Sequence, residues 1–452
     1  MTAQLNIYTI ENGADFRIKK ILLNGEIPML PAIILFAVTY VLMLVFSKYR
    51  PYIALASGII FIATGMLPFG EILGAVDFNV ILMIAGTMGL VALFTESKMP
   101  QLLADLVMEK VPNVKWAAVA LALFAGIISA FVDNVATVLM VAPVALAICK
   151  KLGTNPVPFI IAIAVSSNLQ GAATLVGDTT AIMLGSALDM SFLDFMWYMG
   201  KPSIFFAVEL GALLSAAILL VLFRKETKKI EKATTRTKVT DYVPTALLVS
   251  VLVLLISVSF IPEKPAETNG IICCALLVIG LVHTFIKKKS LSAVIEPLKE
   301  IDFTTIGILL GLFLMIGGIS AQGVIDKAAS LLASVGGGNV FLLYTLIVWG
   351  SVAISAFIDN IPYVATMIPV MAGLSEVLGI DPTPLYFGLL SGATLGGNCT
   401  PIGASANITG IGILRKEGYE VKNKDFFKIG IPFTLAAIIP AYIYIWLMYG
   451  VN

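Results

Sequence analysis

One phrase occurs twice in this chain, and each time it sets a carboxylate and an amide between two long apolar runs. Residues Ser129-Ala130-Phe131-Val132-Asp133-Asn134 return as Ser355-Ala356-Phe357-Ile358-Asp359-Asn360, shifted by 226 positions (355 − 129). The same offset carries Pro143 onto Pro369, Pro156 onto Pro382, Thr174 onto Thr400 and Gly177 onto Gly403. No gap interrupts the match over about fifty residues, which is the signature of a duplicated half.

The surroundings of the phrase decide its solvent. Of 452 residues, 59% are hydrophobic and only 13% charged, against roughly 25% charged in soluble domains. A water-soluble core has no room for that much apolar side chain, so the chain is a membrane protein in contact with lipid. The 38 glycines and 21 prolines fit broken membrane helices, whose freed backbone groups neighbouring helices can satisfy. A net charge of +1 gives nucleic acid nothing to recognise. Cys149, Cys273, Cys274 and Cys399 lie in or beside apolar runs and read as packing residues. His283, the single histidine, reads as an interfacial side chain next to Lys287, Lys288 and Lys289. No hydrolase triad, zinc motif, phosphate loop or dinucleotide fingerprint is present, so an enzyme is not expected, nor a cofactor beyond a coupling ion.

Residues 1–29 lack the basic-then-apolar order of a cleavable signal and read as an N-terminal surface segment. The first repeat spans 30–223, with apolar runs near 30–46, 52–68, 78–95, 115–132, 135–150, 157–185 and 202–223. Asp189 to Lys201, carrying Phe192, Phe195, Trp197 and Tyr198, reads as an amphipathic segment at headgroup level. A linker at 224–241 holds seven basic residues and is expected on the cytoplasmic side. The second repeat, 242–452, has runs near 243–261, 270–286, 303–320, 340–358, 361–378, 384–412 and 430–449. With the clusters at Lys48/Arg50 and Lys287–Lys289 also cytoplasmic, the halves are inverted. Ten crossings then result if the pair of helices around each Asp-Asn is a re-entrant hairpin.

Two sets of polar residues lie inside these runs. At the hairpin tips, Asp133-Asn134 and Asp359-Asn360 sit where one half-helix ends in free carbonyls and the next begins with free amides. A carboxylate, an asparagine oxygen and carbonyls can ligate a small cation; the same aspartates can equally cap the second helix. The second set interrupts the long runs: Asn168, Gln170, Gly171, Thr174, Gly177 and Asp178 in one half, and Asn398, Thr400, Gly403 and Asn407 in the other. Matching glycine-bearing breaks in two halves point to a transport site. A packing interface of small residues is the competing account, though it leaves the amides unexplained.

These tips and breaks, with Thr400-Pro401-Ile402-Gly403-Ala404-Ser405-Ala406-Asn407, resemble the ion transporter superfamily. The branch they look like holds arsenite efflux permeases, D-type sodium/proton antiporters, citrate permeases and the pigmentation P protein. The resemblance implies an all-α, inverted-repeat secondary transporter with two re-entrant hairpins and two discontinuous helices. It also implies a scaffold, an elevator-type transport domain and a homodimer, expected in a prokaryotic plasma membrane. Implied sodium or proton ligands are Asp133, Asn134 and Gly171 in one half and Asp359, Asn360 and Asn398 in the other. Related divalent-anion/sodium symporters carry Ser-Asn-Thr at both tips, where this chain has Asp133-Asn134-Val135 and Asp359-Asn360-Ile361.

Two functions are therefore open. A transporter driven by Na+ or H+ would hold a small anion or oxyacid, a carboxylate or arsenite-like species, with Asn134, Asn168, Thr174, Asn360, Asn398, Thr400 and Asn407. A sodium/proton antiporter would instead let Asp133, Asp178 or Asp359 bind either ion in competition. No Arg or Lys is expected inside the membrane beside these motifs.

Overall fold

The computed structural model of the chain describes residues 29–229, 236–261 and 263–450. The expected N-terminal surface segment, apart from Met29, and part of the linker lie outside the described residues. The first half contains α1 (Met29–Val45), α2 (Arg50–Ala63), α3 (Phe78–Glu96), α4 (Met99–Met108) and α5 (Val114–Ser129), then α6 (Asn134–Leu152), α7 (Val157–Gln170), α8 (Thr179–Ala187) and α9 (Ile204–Leu222). The second half contains α10 (Val243–Val258), α11 (Thr268–Lys288), α12 (Ser292–Lys299), α13 (Phe303–Ala321) and α14 (Val324–Gly336). It continues with α15 (Val340–Ser355), α16 (Asn360–Leu378), α17 (Thr383–Gly396), α18 (Ser405–Lys416) and α19 (Asn423–Ile445).

Local chemistry fixes many of these boundaries twice over. Asn113 and Asn339 cap α5 and α15, each accepting from the third residue on (Trp116 N 3.2 Å, Leu342 N 3.0 Å). Helices α6 and α16 end at Gly153 and Gly379, both in the left-handed conformation (φ +61° and +63°) that favours glycine. Pro143 and Pro369 sit inside these two helices. Helices α4, α12 and α14 had no counterpart among the expected apolar runs. They are short, and charged residues such as Asp105, Glu296, Asp326 and Lys327 break their apolar character.

The halves pack by exchanging partners. Helix α2 lies along α13, and α3 lies along α11. The backbones touch where glycine allows it: a Cβ on Gly86 would lie 2.6 Å from Cys273 C, and one on Gly311 would lie 2.3 Å from Ala54 C. Gly86 and Gly311 are mates, as are Ala54 and Cys273, so the contact recurs with its halves swapped. Hairpin arms α5 and α15 pack on the broken helices α7 and α17, and α9 and α19 pair with each other.

Seven described helices are long and apolar enough to cross a membrane, or nine if two bent pairs count as single spans. Helices α6 and α16 are among the seven. At 19 residues each, these second hairpin arms are as long as full spans, longer than a half-depth hairpin arm requires. Two local expectations change. Residues 189–201 form a short turn and a two-stranded ribbon, Trp197–Tyr198 with Lys201–Pro202, in which Phe192 and Phe195 are buried rather than laid on an interface. Arg50, taken as a flanking positive charge, begins α2 after a bend of 116° and turns toward the second hairpin tip.

Candidate functional site

At each tip the aspartate caps the helix that follows. Asp133 Oδ1 accepts from Val135 N (3.0 Å) and Ala136 N (3.1 Å), and Asp359 Oδ1 from Ile361 N (3.3 Å). Each break is tied to the neighbouring hairpin: the Thr174 hydroxyl donates to Ala130 O, and the Thr400 hydroxyl to Ala356 O. The glycines between are required by crowding. A Cβ on Gly177 would sit 2.6 Å from Gly171 O and 3.0 Å from the carbonyls of Ser129 and Ala130; on Gly403 it would sit 2.6 Å from Gly397 O, 2.7 Å from Ser355 O and 2.8 Å from Ala356 O. Carbonyls ending two helices thus converge on one point in each half.

Between the tips lies a cavity of about 850 Å3, lined by Asp133, Asn134, Asp178, Thr179, Asn360, Ser405 and residues of α3 and α13. The N-termini of α6, α8, α16 and α18 all reach it. Asp178 caps α8 (Thr179 N to Oδ1, 2.7 Å) and accepts from Thr180 Oγ1 (3.0 Å); Asn360 Nδ2 lies 3.5 Å from its Oδ2. Ala404 stands at the matching cap of α18 and supplies no side-chain acceptor. The exposed rim holds Glu96, Glu296, Lys299 and Glu300. Lys288 pairs with Glu96, and the linker residue Thr240 bonds Ser97 O (3.0 Å), so the cavity opens on the face that carries the linker.

The remaining expected residues build the walls. Asn168 Nδ2 donates to Thr394 O (2.7 Å) and Asn398 Oδ1 (3.1 Å), while its Oδ1 accepts from Asn134 (3.1 Å). Asn398 Nδ2 returns to Val165 O (2.9 Å). These amides stitch the two broken helices together across the pseudo-symmetry axis. Asn407 Nδ2 bonds Gly397 O and Thr400 O, both at 3.1 Å. Asn168, Gly171, Thr174, Asn398, Thr400 and Asn407 do not line the cavity. The set expected to touch a ligand therefore divides into residues facing the cavity and residues holding it in shape.

Two charged residues escaped the sequence reading, and a third, Arg50, was read only as a flanking charge. Asp302 caps α13 (Thr305 N to Oδ1, 3.0 Å) and lines the cavity; its position just ahead of an apolar run was the available signal. Glu209 lies within α9, against the Gln170 amide beside the first break. The third corrects the expectation of no base near the motifs: Arg50 Nη1 lies 3.7 Å from Asp359 Oδ2. Asp359 itself faces away from the main cavity, into a pocket of about 10 Å3 shared with Tyr40, Met43, Arg50 and Pro362. Near the end of the candidate span α11, His283 Nε2 lies 2.9 Å from Asp241 Oδ2 of the linker.

Comparisons with known proteins agree with this architecture. The chain is 29% identical over 429 residues to an uncharacterized transporter of Mycobacterium tuberculosis, covering 93% of this chain and 99% of the relative. A second transporter of that organism is 33% identical over 344 residues, 74% of this chain and 77% of its own length. The P protein of Mus musculus is 27% identical over 80% of this chain and 52% of its own length. Among solved structures, the YdaH transporter of Alcanivorax borkumensis shares the fold with a TM-score of 0.59 at 14% identity, covering 84% of this chain and 88% of that one. The profile of the citrate transporter family, CitMHS, matches residues 34–294 and 274–451, and the chain belongs to that family.

Proposed function

We propose that the protein is a secondary transporter that couples Na+ or H+ to the movement of a small anion or oxyacid through the cavity between its two tips. One observation carries this reading: the N-termini of four helices, α6, α8, α16 and α18, open on a single cavity. Their dipoles favour anionic groups, most of all at α18, where the Ala404 cap leaves the first amides without a side-chain acceptor, and about 850 Å3 suits a small-molecule ligand. A carboxylate such as the citrate of the family name is a fitting candidate. Asp133, Asp178 and Asp302 would repel a bare polyanion, so the substrate's charge must be covered by cations or protons as it enters. The carbonyls near Gly171 and Gly177, with Asp133, Asn134 and Asp178, are our candidates for the cation site.

The wider reading follows from the two halves. With the linker cytoplasmic, the cavity faces inward while the Asp359 pocket is closed, as one end state of inverted repeats in elevator-type alternating access would require. A homodimer in a prokaryotic plasma membrane belongs to the same proposal. A sodium/proton antiporter is the second reading, favoured by the three aspartates lining the cavity, Asp133, Asp178 and Asp302. Reconstituted protein given a sodium jump, with internal pH recorded with and without citrate, other carboxylates and arsenite, separates the two. Coupled anion flux is the expected result. Sodium-driven proton movement with no added anion and no anion flux would establish the antiporter instead.

A further inference from the structure

The two tips share sequence and differ in what balances their charge. Among the described residues, no Lys, Arg or His pairs with Asp133 or Asp178, and both line the open cavity. At Asp359 a guanidinium is already present: Arg50 Nη1 stands 3.7 Å from Oδ2, and its Nε is held by Met43 O at 3.0 Å. The remaining contacts of that carboxylate are neutral donors, Ile361 N on Oδ1 and Ser405 Oγ on Oδ2 (3.4 Å). The enclosing pocket of about 10 Å3 has no room for a hydrated ion.

Pseudo-symmetry identifies what the other half has in this place. A Cβ on Gly270 would meet Leu82 Cβ at 2.6 Å, and one on Gly307 would meet Pro51 Cβ at 3.2 Å. Residues 51 and 270 are therefore mates, as are 82 and 307, which makes Asn269 the mate of Arg50. By position one half carries a fixed positive charge and the other a neutral amide, and Asn269, beside Gly270, sits at the Asn79–Leu82 end of α3 rather than lining the cavity at Asp133.

We propose that Arg50 is a tethered counter-cation: it takes at Asp359 the place that a mobile cation takes at Asp133, so in this conformation the protein holds one exchangeable cation, on its first half, instead of two. The second-half acid is then a charge-balanced strut, and the coupling ion belongs to Asp133, Asp178 and the carbonyls near Gly171. This rests on the transport reading for the role of the Asp133 cation, while the assignment of Arg50 can be tested separately.

The test is thermal unfolding of the purified protein in detergent, titrated with NaCl against choline chloride at pH 8, and with protons from pH 8 to 6 in sodium-free buffer. Each bound cation adds one logarithmic increment of stability. Arg50→Gln should therefore about double the slope of melting temperature against log cation concentration, by recruiting a mobile ion to Asp359. Arg50→Lys should keep the wild-type slope, and Arg50→Gln/Asp359→Asn should restore it. An unchanged slope in Arg50→Gln overturns the proposal, as does a double variant that stays at the Arg50→Gln value, since Arg50 would then act through Met43 alone. If Arg50→Gln yields folded protein in neither high nor zero sodium, recovery in the double variant supports the proposal and its absence overturns it. Asp133→Asn reports on the other reading: if it keeps the full wild-type slope, the first-half cation site is wrong whatever Arg50 does.

Discussion

The two hairpin tips are near copies in sequence and opposites in state. Around Asp133 the protein is open: the carboxylate, Asn134 and Asp178 face a cavity of about 850 Å3 whose rim reaches the linker face. Around Asp359 it is shut, with Arg50 against the carboxylate and Tyr40 Oη donating to Pro362 O at 2.8 Å. Identical local chemistry thus yields two environments, because the elements packed against each tip differ. A tip aspartate is a cap in both halves, but only Asp133 faces the open cavity, while Asp359 faces Arg50.

The largest expected effect breaks the likeness directly. Asp133→Asn keeps a capping oxygen for α6 and removes the charge at the cavity, so cation-driven flux should fall by about a hundredfold or more, with the melting temperature nearly unchanged in sodium-free buffer. Asp359→Asn should do the reverse. It strands the Arg50 guanidinium, and the loss of a largely buried pair destabilises by about 2–3 kcal/mol, seen as a lowered melting temperature. Equal flux losses and equal stabilities in the two variants would mean that the tips are functionally alike.

A second comparison concerns the walls. Asn168 makes three hydrogen bonds across the axis, to Asn134, Thr394 and Asn398, whereas Asn407 satisfies two carbonyls of its own break. Removing Asn168 strands a donor and two acceptors at a fully buried site. Asn168→Ala should cost about 2–4 kcal/mol and Asn407→Ala about 1–2 kcal/mol, measured by denaturation in detergent. If Asn407 proves the costlier, the axis is held by something other than these amides.

Much of this was legible in the chain. Every long apolar run corresponds to one or two helices, and the interruptions at Gly171–Asp178 and Gly397–Ala404 are breaks as read, because glycine, hydroxyl and amide clusters in an apolar run have few other uses. What could not be read was direction. Asn168, Thr174, Asn398 and Thr400 have the composition of ligands, yet their polar groups are consumed by carbonyls and amides of neighbouring segments, a matter of packing that spacing does not encode. Arg50 shows the same limit from the other side. Its place after an apolar run gave it the look of a flanking charge, and only the bend between α1 and α2 brings it to a residue 309 positions away (359 − 50).

The smallest predicted effect tests whether the open side is held as the closed side is, by charge. Where the linker meets α10, Asp241 Oδ2 lies 2.8 Å from Lys287 Nζ and 2.9 Å from His283 Nε2, next to the Lys288–Glu96 pair on the cavity rim. Burial works to raise the Asp241 pKa, but Lys287, the Val243 amide and His283 outweigh it and push it down to about 2. A carboxyl held below its unfolded value stabilises the fold fully above that value, near 3.9, and loses the contribution as pH falls toward the folded one. Wild type should therefore exceed Asp241→Asn by about 1–2 kcal/mol at pH 6, with the gap closing between about pH 4 and pH 2. Flux through the Asp133 side should fall modestly in the variant if this anchor steadies the rim. A stability gap that stays constant down to pH 2 would show that Asp241 acts by shape, leaving Arg50 and Asp359 as the pair by which charge holds a tip in place.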